Sequence, residues 1–400
     1  MTPLLREQSV LGRQCRDRFF TLNPDLDAVV TDDPVHIGYL SGYRSVLQDM
    51  PPYTQMLVAT RDSIFLVTGA SDAPAALEVL SDPNSIWRYG AFFVFESEGD
   101  ATFASLPPPS ASPALALATV LSNLNSVKRI GHDLGRLELN AVVETALPDA
   151  GQCPIAERLR RCRAVKLPGE LEVMRYVSKL TDTAITSIID LVRPGTTEVE
   201  IAAEISRHVT LGAGVPRFLV VTSGERGSRV DAYASDRVLQ LGDIVRLDIG
   251  VSVNGYYSDM ARTYAVGDPG FLAVERYEAL LRGELAELDI VRAGIPAKTV
   301  FEVAMREVRA GALPNYQRNH CGHGLGLRPH EFPLIGPASE TILEEGMVLC
   351  LETPYYEIGW GGMMVEDTVI VTATGSELLT NSPRTLCLTP EPSRQRKIRR

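Results

Sequence analysis

The segment 243–264, DIVRLDIGVSVNGYYSDMARTY, constrains the fold of this chain more than any other. Two runs of strand-forming residues flank Asn254-Gly255. That dipeptide suits a two-residue hairpin turn, where both positions need positive φ. With 254 and 255 as the loop, position 248 faces 261 and position 250 faces 259. Asp248 and Asp259 are then diagonal neighbours on one face of a sheet. That face otherwise carries apolar groups. Two carboxylates there repel each other and resist ionisation unless a cation holds them. Either one alone could instead cap the end of the hairpin.

More acids and imidazoles follow in strand contexts. Three of the six histidines fall in HCGHGLGLRPHE, as His320, His323 and His330, among glycines that let backbone approach closely. Glu352 ends an apolar run in VLCLETP, and Glu366 sits inside another in MMVEDTVIVT. A single strand glutamate usually faces solvent, but Val365 and Val369–Val371 flank this one. Four carboxylates and an imidazole suit a hard or borderline divalent cation such as Mn²⁺, Co²⁺, Zn²⁺ or Fe²⁺. Four negative charges exceed what one such ion neutralises, which argues for two metals bridged by carboxylates.

Composition narrows the setting. The 400 residues are 45% hydrophobic and 22% charged, ordinary for a globular protein. The net charge of −11 speaks against nucleic-acid binding. The exception is the tail 391–400, EPSRQRKIRR, with five basic groups and one acid, expected to be a disordered solvated end. No apolar run reaches the ~18 residues of a membrane span. The first twenty residues are broken by arginines and do not read as a secretory signal. The six cysteines, with no CxxC pair, are expected to be reduced thiols of a cytoplasmic protein.

The fold expected is α+β in two domains. Residues 1–155 alternate short strands (AVVT, MLVAT, SIFLVTG, AFFVFES) with helical stretches, as a small α/β domain does. The stretch 149–166 reads as a connection with a basic patch. Residues 156–390 form the second domain, opening on two helices, GELEVMRYVSKLTDTAITSIIDLV and one from Glu198 to about Leu211. Strands RFLVVTSG, DIVRLDIGVSV and YSDMARTYAV come next, then helices over about 271–292 and 296–311. Two further strands close the domain.

The order Asp, Asp, His, Glu, Glu in these surroundings resembles the metallopeptidase family of Xaa-Pro aminopeptidases, prolidases and methionine aminopeptidases. The matching text is LDIGVSVNGYYSDMART, GHGLGLRPHE, LETP and VEDTVIVT, with DPVHIGYLSGYRS similar to the N-terminal domain of creatinase. The resemblance implies a creatinase-like N-terminal domain, then a pita-bread catalytic domain with a curved, mostly antiparallel sheet. It implies metal binding by Asp248, Asp259, His323, Glu352 and Glu366, typically manganese. His330 and Glu352 become catalytic candidates, and His320 and Arg328 candidates for contact with substrate. It also implies a homodimer acting on a short peptide or small molecule, with no membrane or nucleic-acid partner.

Two positions depart from the family. Relatives that cleave before proline resemble PHGxPSDKxxxxGD upstream of the first ligand. Here the text is VDAYASDRVLQLGD, which puts Asp231 in the histidine's place. An imidazole exchanges a proton near neutral pH, whereas an ordinary aspartate is a fixed anion. The usual GVRIED is here Gly362-Met363-Met364-Val365-Glu366-Asp367, so Met364 stands for an arginine. The missing guanidinium could have bound a substrate carboxylate or tied down a neighbouring acid. Arg226, Arg229 and Arg328 are candidates to replace it. Unreplaced, the extra anion would repel a dipeptide carboxylate ~5 Å away by roughly 3 kcal/mol at an effective dielectric of about 20. Two other readings stand beside the peptidase. One is a same-fold enzyme on a non-peptide compound, as creatinase, ectoine hydrolase or dimethylsulfoniopropionate lyase is. The other is a silent binding module, disfavoured because all five ligand positions are intact.

Overall fold

A computed structural model describes residues 7–389 except 49, 51–52, 96–102 and 125. The basic tail 391–400 lies outside the described residues. The chain forms two compact units, Met1–Arg163 and Ala164–Arg400. Among the described residues no helix is long and apolar enough to cross a membrane, and Cys15, Cys153, Cys162, Cys321 and Cys350 are free thiols.

The first unit holds helices α1 (Gln8–Leu22), α2 (Pro34–Ser41), α3 (Ala73–Leu80), α4 (Pro113–Ser122), α5 (Leu137–Ala146) and α6 (Ala156–Ala164). Its strands are β1 (Ala28–Thr31), β2 (Met56–Thr60), β3 (Ile64–Gly69), β4 (Ile86–Tyr89), β5 (Arg129–Asp133) and β6 (Gly151–Pro154). They form one mixed sheet in the order β4-β3-β2-β1-β5-β6. Val30, Val58, Leu117, Val120, Ile130 and Val143 build a core between that sheet and α4 and α5.

Two expectations fail in this unit. AFFVFES is not a strand over its described residues 91–95. The strand is Ile86–Tyr89, and Gly90 at φ 74 turns the chain out of the sheet, leaving Phe92, Phe93 and Phe95 exposed. The basic connection is in fact helix α6. Glu157 pairs with Arg160 and Arg161 on its outer face, while buried Ile155, Leu159 and Cys162 line its inner one. Arg158 bonds Asp25 at 2.8 Å, and the Tyr39 hydroxyl lies 3.3 Å from Cys162 Sγ, so the helix packs with the first unit.

The second unit opens on α7 (Pro168–Thr186) and α8 (Glu198–Leu211), the latter started by a Thr197–Glu200 capping box. There follow β7 (Val215–Ser223), β8 (Ile244–Val253), β9 (Tyr256–Val266), α9 (Phe271–Ile290) and α10 (Ala297–Arg309). The rest is β10 (Gly322–Gly324), β11 (Glu331–Leu334), β12 (Val348–Glu352), β13 (Tyr355–Glu357), β14 (Gly361–Met363), β15 (Glu366–Val371), β16 (Ser376–Leu378) and β17 (Cys387–Thr389). A curved, mostly antiparallel sheet runs β11-β10-β12-β15-β9-β8-β7, with β16 on β15 and β17 on β9. The β8–β9 hairpin has the expected register, Asp248 opposite Ala261 and Gly250 opposite Asp259. Its turn residues Asn254 and Gly255 have φ of 50° and 76°.

Strand alternation decides which face carries chemistry. On β12 and β15, Leu349, Leu351, Val369 and Val371 join Leu280, Val300, Ala304 and Val308 of α9 and α10 in one core. The intervening Cys350, Glu352, Glu366 and Thr368 face the other way.

Helix α9 also buries Glu284 and Glu287, whose four carboxyl oxygens have no hydrogen-bond partner among the described residues. Burial raises both acids well above their ordinary range, reinforced by the charge of Asp367 at Glu284 and of Glu284 at Glu287. A raised folded-state pKa gives stability that is present below the unfolded value and lost as pH rises toward the folded one. Glu287→Met should therefore stabilise the protein by about 1–3 kcal/mol at pH 8, and by less at pH 5. Thermal melts at the two pH values check this. An unchanged or lowered melting temperature at pH 8 contradicts it.

Candidate metal centre

Five neighbouring strands each bring one candidate ligand to the sheet face opposite α9 and α10. Glu366 on β15 pairs with Glu352 on β12 and with Ala261 on β9, and Ala261 pairs with Asp248 on β8. Cys350, on the face of Glu352, is opposite His323 on β10. Asp259 shares the face of Ala261. The ladder thus converts residues more than a hundred positions apart into adjacent side chains.

Asp259, His323, Cys350 and Glu366 are buried and offer ligand atoms all within 4.8 Å of one another. His323 Nδ1 lies 3.1 Å from the Gly324 carbonyl, which can only accept. The ring proton therefore sits on Nδ1, and the Nε2 lone pair faces Asp259 Oδ2 at 3.9 Å. Burial, with His330 alongside, lowers the His323 pKa to about 4, so the ring is neutral, as a ligand must be. His330 stacks on His323 with centroids 3.8 Å apart and is exposed at the cavity mouth.

The carboxylates divide into two kinds. Burial and the charges of neighbouring acids push Asp259 and Glu366 well above the usual carboxylate range. Each also leaves an oxygen, Asp259 Oδ1 and Glu366 Oε2, buried without a hydrogen-bond donor. Bare acceptors aimed at one another fit a cation and little else. Glu352 differs. Burial raises its pKa, but the nearby His320 ring and the Arg318 charge outweigh that, and the group falls below its ordinary value. Arg318 Nη2 and His320 Nδ1 lie 3.2 and 3.0 Å from Glu352 Oε1. Asp248 is raised by burial to about 6, against the pull of Arg246, whose Nη1 is 3.2 Å away.

Buried ion pairs hold this arrangement in place. Arg262 donates to the Glu366 carbonyl at 2.6 Å and to Asp367 at 2.7 Å, and Arg384 also pairs with Asp367. Glu198, fully buried in the first turn of α8, accepts from Ser223, Ser235 and Arg226. Arg226 also donates to the Tyr233 carbonyl, so this knot anchors the loop that carries Asp231. Lys166 pairs with Glu331, whose carboxylate accepts from the Leu327 and Arg328 amides and so fixes the loop before His330.

A cavity of about 520 Å³ opens on the cluster, a size suited to a small ligand. Asp231, Asp248, Asp259, His320, His323, His330, Glu352, Met364 and Glu366 all line it. Arg328 does not, although Pro329 and His330 do: it is exposed outside. Arg226 is committed to Glu198, and Arg229 is not among the lining residues. The cavity's cations are Arg217, exposed at the rim with Nε on Ser252 Oγ, and Arg318. Sequence reasoning missed both, although Arg318 lies two residues before His320. It also missed Arg246, which the two-residue period of β8 places on the face of Asp248. Asp231 is exposed, so solvent screening makes the repulsion of roughly 3 kcal/mol inferred from sequence too large.

A pita-bread sheet bearing this cluster of acids and an imidazole defines the class, a metal-dependent hydrolase. The profile of metallopeptidase family M24 matches residues 172–373. The Xaa-Pro dipeptidase of Pyrococcus furiosus is 32% identical over 234 residues, 58% of this chain and 67% of that protein. The probable dipeptidase PepE of Mycobacterium tuberculosis is 33% identical over 271 residues, 64% and 72% of the two chains. The crystal structure of dipeptidase PepE from Mycobacterium ulcerans superposes with a TM-score of 0.75 at 27% identity, over 96% of this chain and 99% of that one. The chain belongs to metallopeptidase family M24.

Asp259, like Glu366, has both an orphan oxygen and a place in the tight cluster. Asp259→Ala should therefore lose metal. Elemental analysis of the two purified proteins checks this, and equal metal in both contradicts it. Added Mn²⁺ should also raise the melting temperature of the wild type and leave Asp259→Ala nearly unmoved.

Proposed function

We propose that the chain hydrolyses short peptides, with Xaa-Pro bonds as the leading substrates and divalent metal bound in the acid cluster, whose bare members are Asp259 and Glu366 beside His323 and whose arginine-paired members are Asp248 and Glu352. The observation that carries this reading is the pair of orphan oxygens on Asp259 and Glu366, facing a neutral His323 at the floor of the cavity. Such ions lower the pKa of a bound water and polarise a carbonyl. The protein's own groups do the rest. Glu352, held ionised by Arg318 and His320, accepts the proton of the attacking water. His330, at the mouth and stacked on His323, donates to the oxyanion that develops on the scissile carbonyl. Arg217 at the rim meets a substrate carboxylate in place of the guanidinium absent at Met364.

Asp231 and Met364 favour a second reading, a non-peptide small molecule on the same scaffold, because both alter the cavity wall while the ligands stay intact. An assay of Xaa-Pro dipeptides beside small amidino and betaine compounds separates the two. On the peptidase reading, Arg217→Ala should raise KM for Xaa-Pro dipeptides by about tenfold and change kcat little. Asp231→His should increase turnover of the same dipeptides by several-fold, by removing an anion and adding a proton carrier. Robust wild-type turnover that falls on Asp231→His contradicts the role given to Asp231. Family resemblance also supports a cytoplasmic homodimer. Light scattering at micromolar concentration checks this, and a monomer mass contradicts it.

A further inference from the structure

Arg246 is fully buried and does not line the cavity, yet it touches the metal centre. Nη1 lies 3.2 Å from Asp248 Oδ2. Nη2 donates to the carbonyls of Val230 and Arg229 at 2.6 and 3.3 Å. The guanidinium stands 5.1 Å from the centroid of the Tyr356 ring, and the Tyr356 hydroxyl reaches Met364 Sδ at 3.7 Å. The cation missing at position 364 is therefore present one ring away, on β8, and it ties down an acid.

On Glu352, Arg318 makes the equivalent pairing. Of the four acids in the centre, two thus carry a guanidinium, and two negative charges remain, which one divalent ion neutralises. The residues whose ligand atoms already lie within 4.8 Å of one another are Asp259, His323, Cys350 and Glu366. Neither arginine-paired acid belongs to that set. A guanidinium cannot shed its proton to make way for a metal. A second ion on Asp248 would compete with this part-buried ion pair for the carboxylate and sit beside a like charge.

We propose that Arg246 is a built-in counter-cation for Asp248, a positioning residue that limits the centre to one divalent ion, held at Asp259, His323 and Glu366. This rests on the metal-centre reading above and replaces the two-ion count inferred from charge in the sequence.

The test is a Mn²⁺ titration of chelator-treated full-length protein, followed by calorimetry and by elemental analysis after gel filtration. Wild type, Arg246→Met and Arg246→Lys are compared, with thermal melts to confirm folding. Wild type and Arg246→Lys should saturate at one equivalent. Arg246→Met should take a second equivalent at least roughly tenfold more tightly than wild type. Two equivalents in the wild type, or the same second-ion affinity in wild type and Arg246→Met, overturns the proposal and leaves the metal centre standing. No metal in any of the three defeats the metal-centre reading itself. If Arg246→Met does not fold, the wild-type stoichiometry decides alone.

Discussion

The constraint on which the second unit depends is the desolvation of four carboxylates on one face of one sheet. Isolated, each would be neutralised rather than carried into a core as an anion. The protein meets that cost in two ways. Guanidinium groups neutralise Asp248 and Glu352. Asp259 and Glu366 are left bare, with their pKa values forced upward and an oxygen of each unsatisfied. The bare pair beside a neutral imidazole is where a divalent ion belongs. The asymmetry between paired and bare acids comes from this chain's own arginines.

Strand alternation makes the arrangement possible. On β12 and β15 the odd-numbered apolar residues, Leu349, Leu351, Val369 and Val371, seal the core with α9 and α10. The even-numbered ones hold the ligand candidates, so a one-residue slip would exchange leucine for glutamate on both faces. Register is accordingly secured with more than hydrogen bonds between strands. The Asn254-Gly255 turn fixes β8 against β9, and Arg262 fixes the backbone of Glu366 against β9. Gly250 leaves space for the Phe218 ring, which a Cβ there would meet at 2.1 Å.

Much of this was legible in the sequence because it is local or periodic. The hairpin gave the positions of Asp248 and Asp259 without knowledge of the rest of the fold, and the motif order linked them to His323, Glu352 and Glu366. What stayed hidden depends on contacts between distant segments. Arg318 and Arg246 read as ordinary charged residues until the sheet places them against acids. Arg328 sits in a promising motif but is exposed and does not line the cavity. AFFVFES has strand composition, yet Gly90 ends the strand before it. Helix α6 looked like a basic linker because its arginine-rich face hides a short buried seam of Leu159, Cys162 and Ala164, with Ile155 just before it.

Anomalous diffraction from crystals soaked in Mn²⁺ tests the central claim most directly. A peak is expected between Asp259, His323 and Glu366, with Asp248 still bonded to Arg246. A map with no peak there, and with the Asp259 and Glu366 carboxyls turned to share a proton, would contradict it.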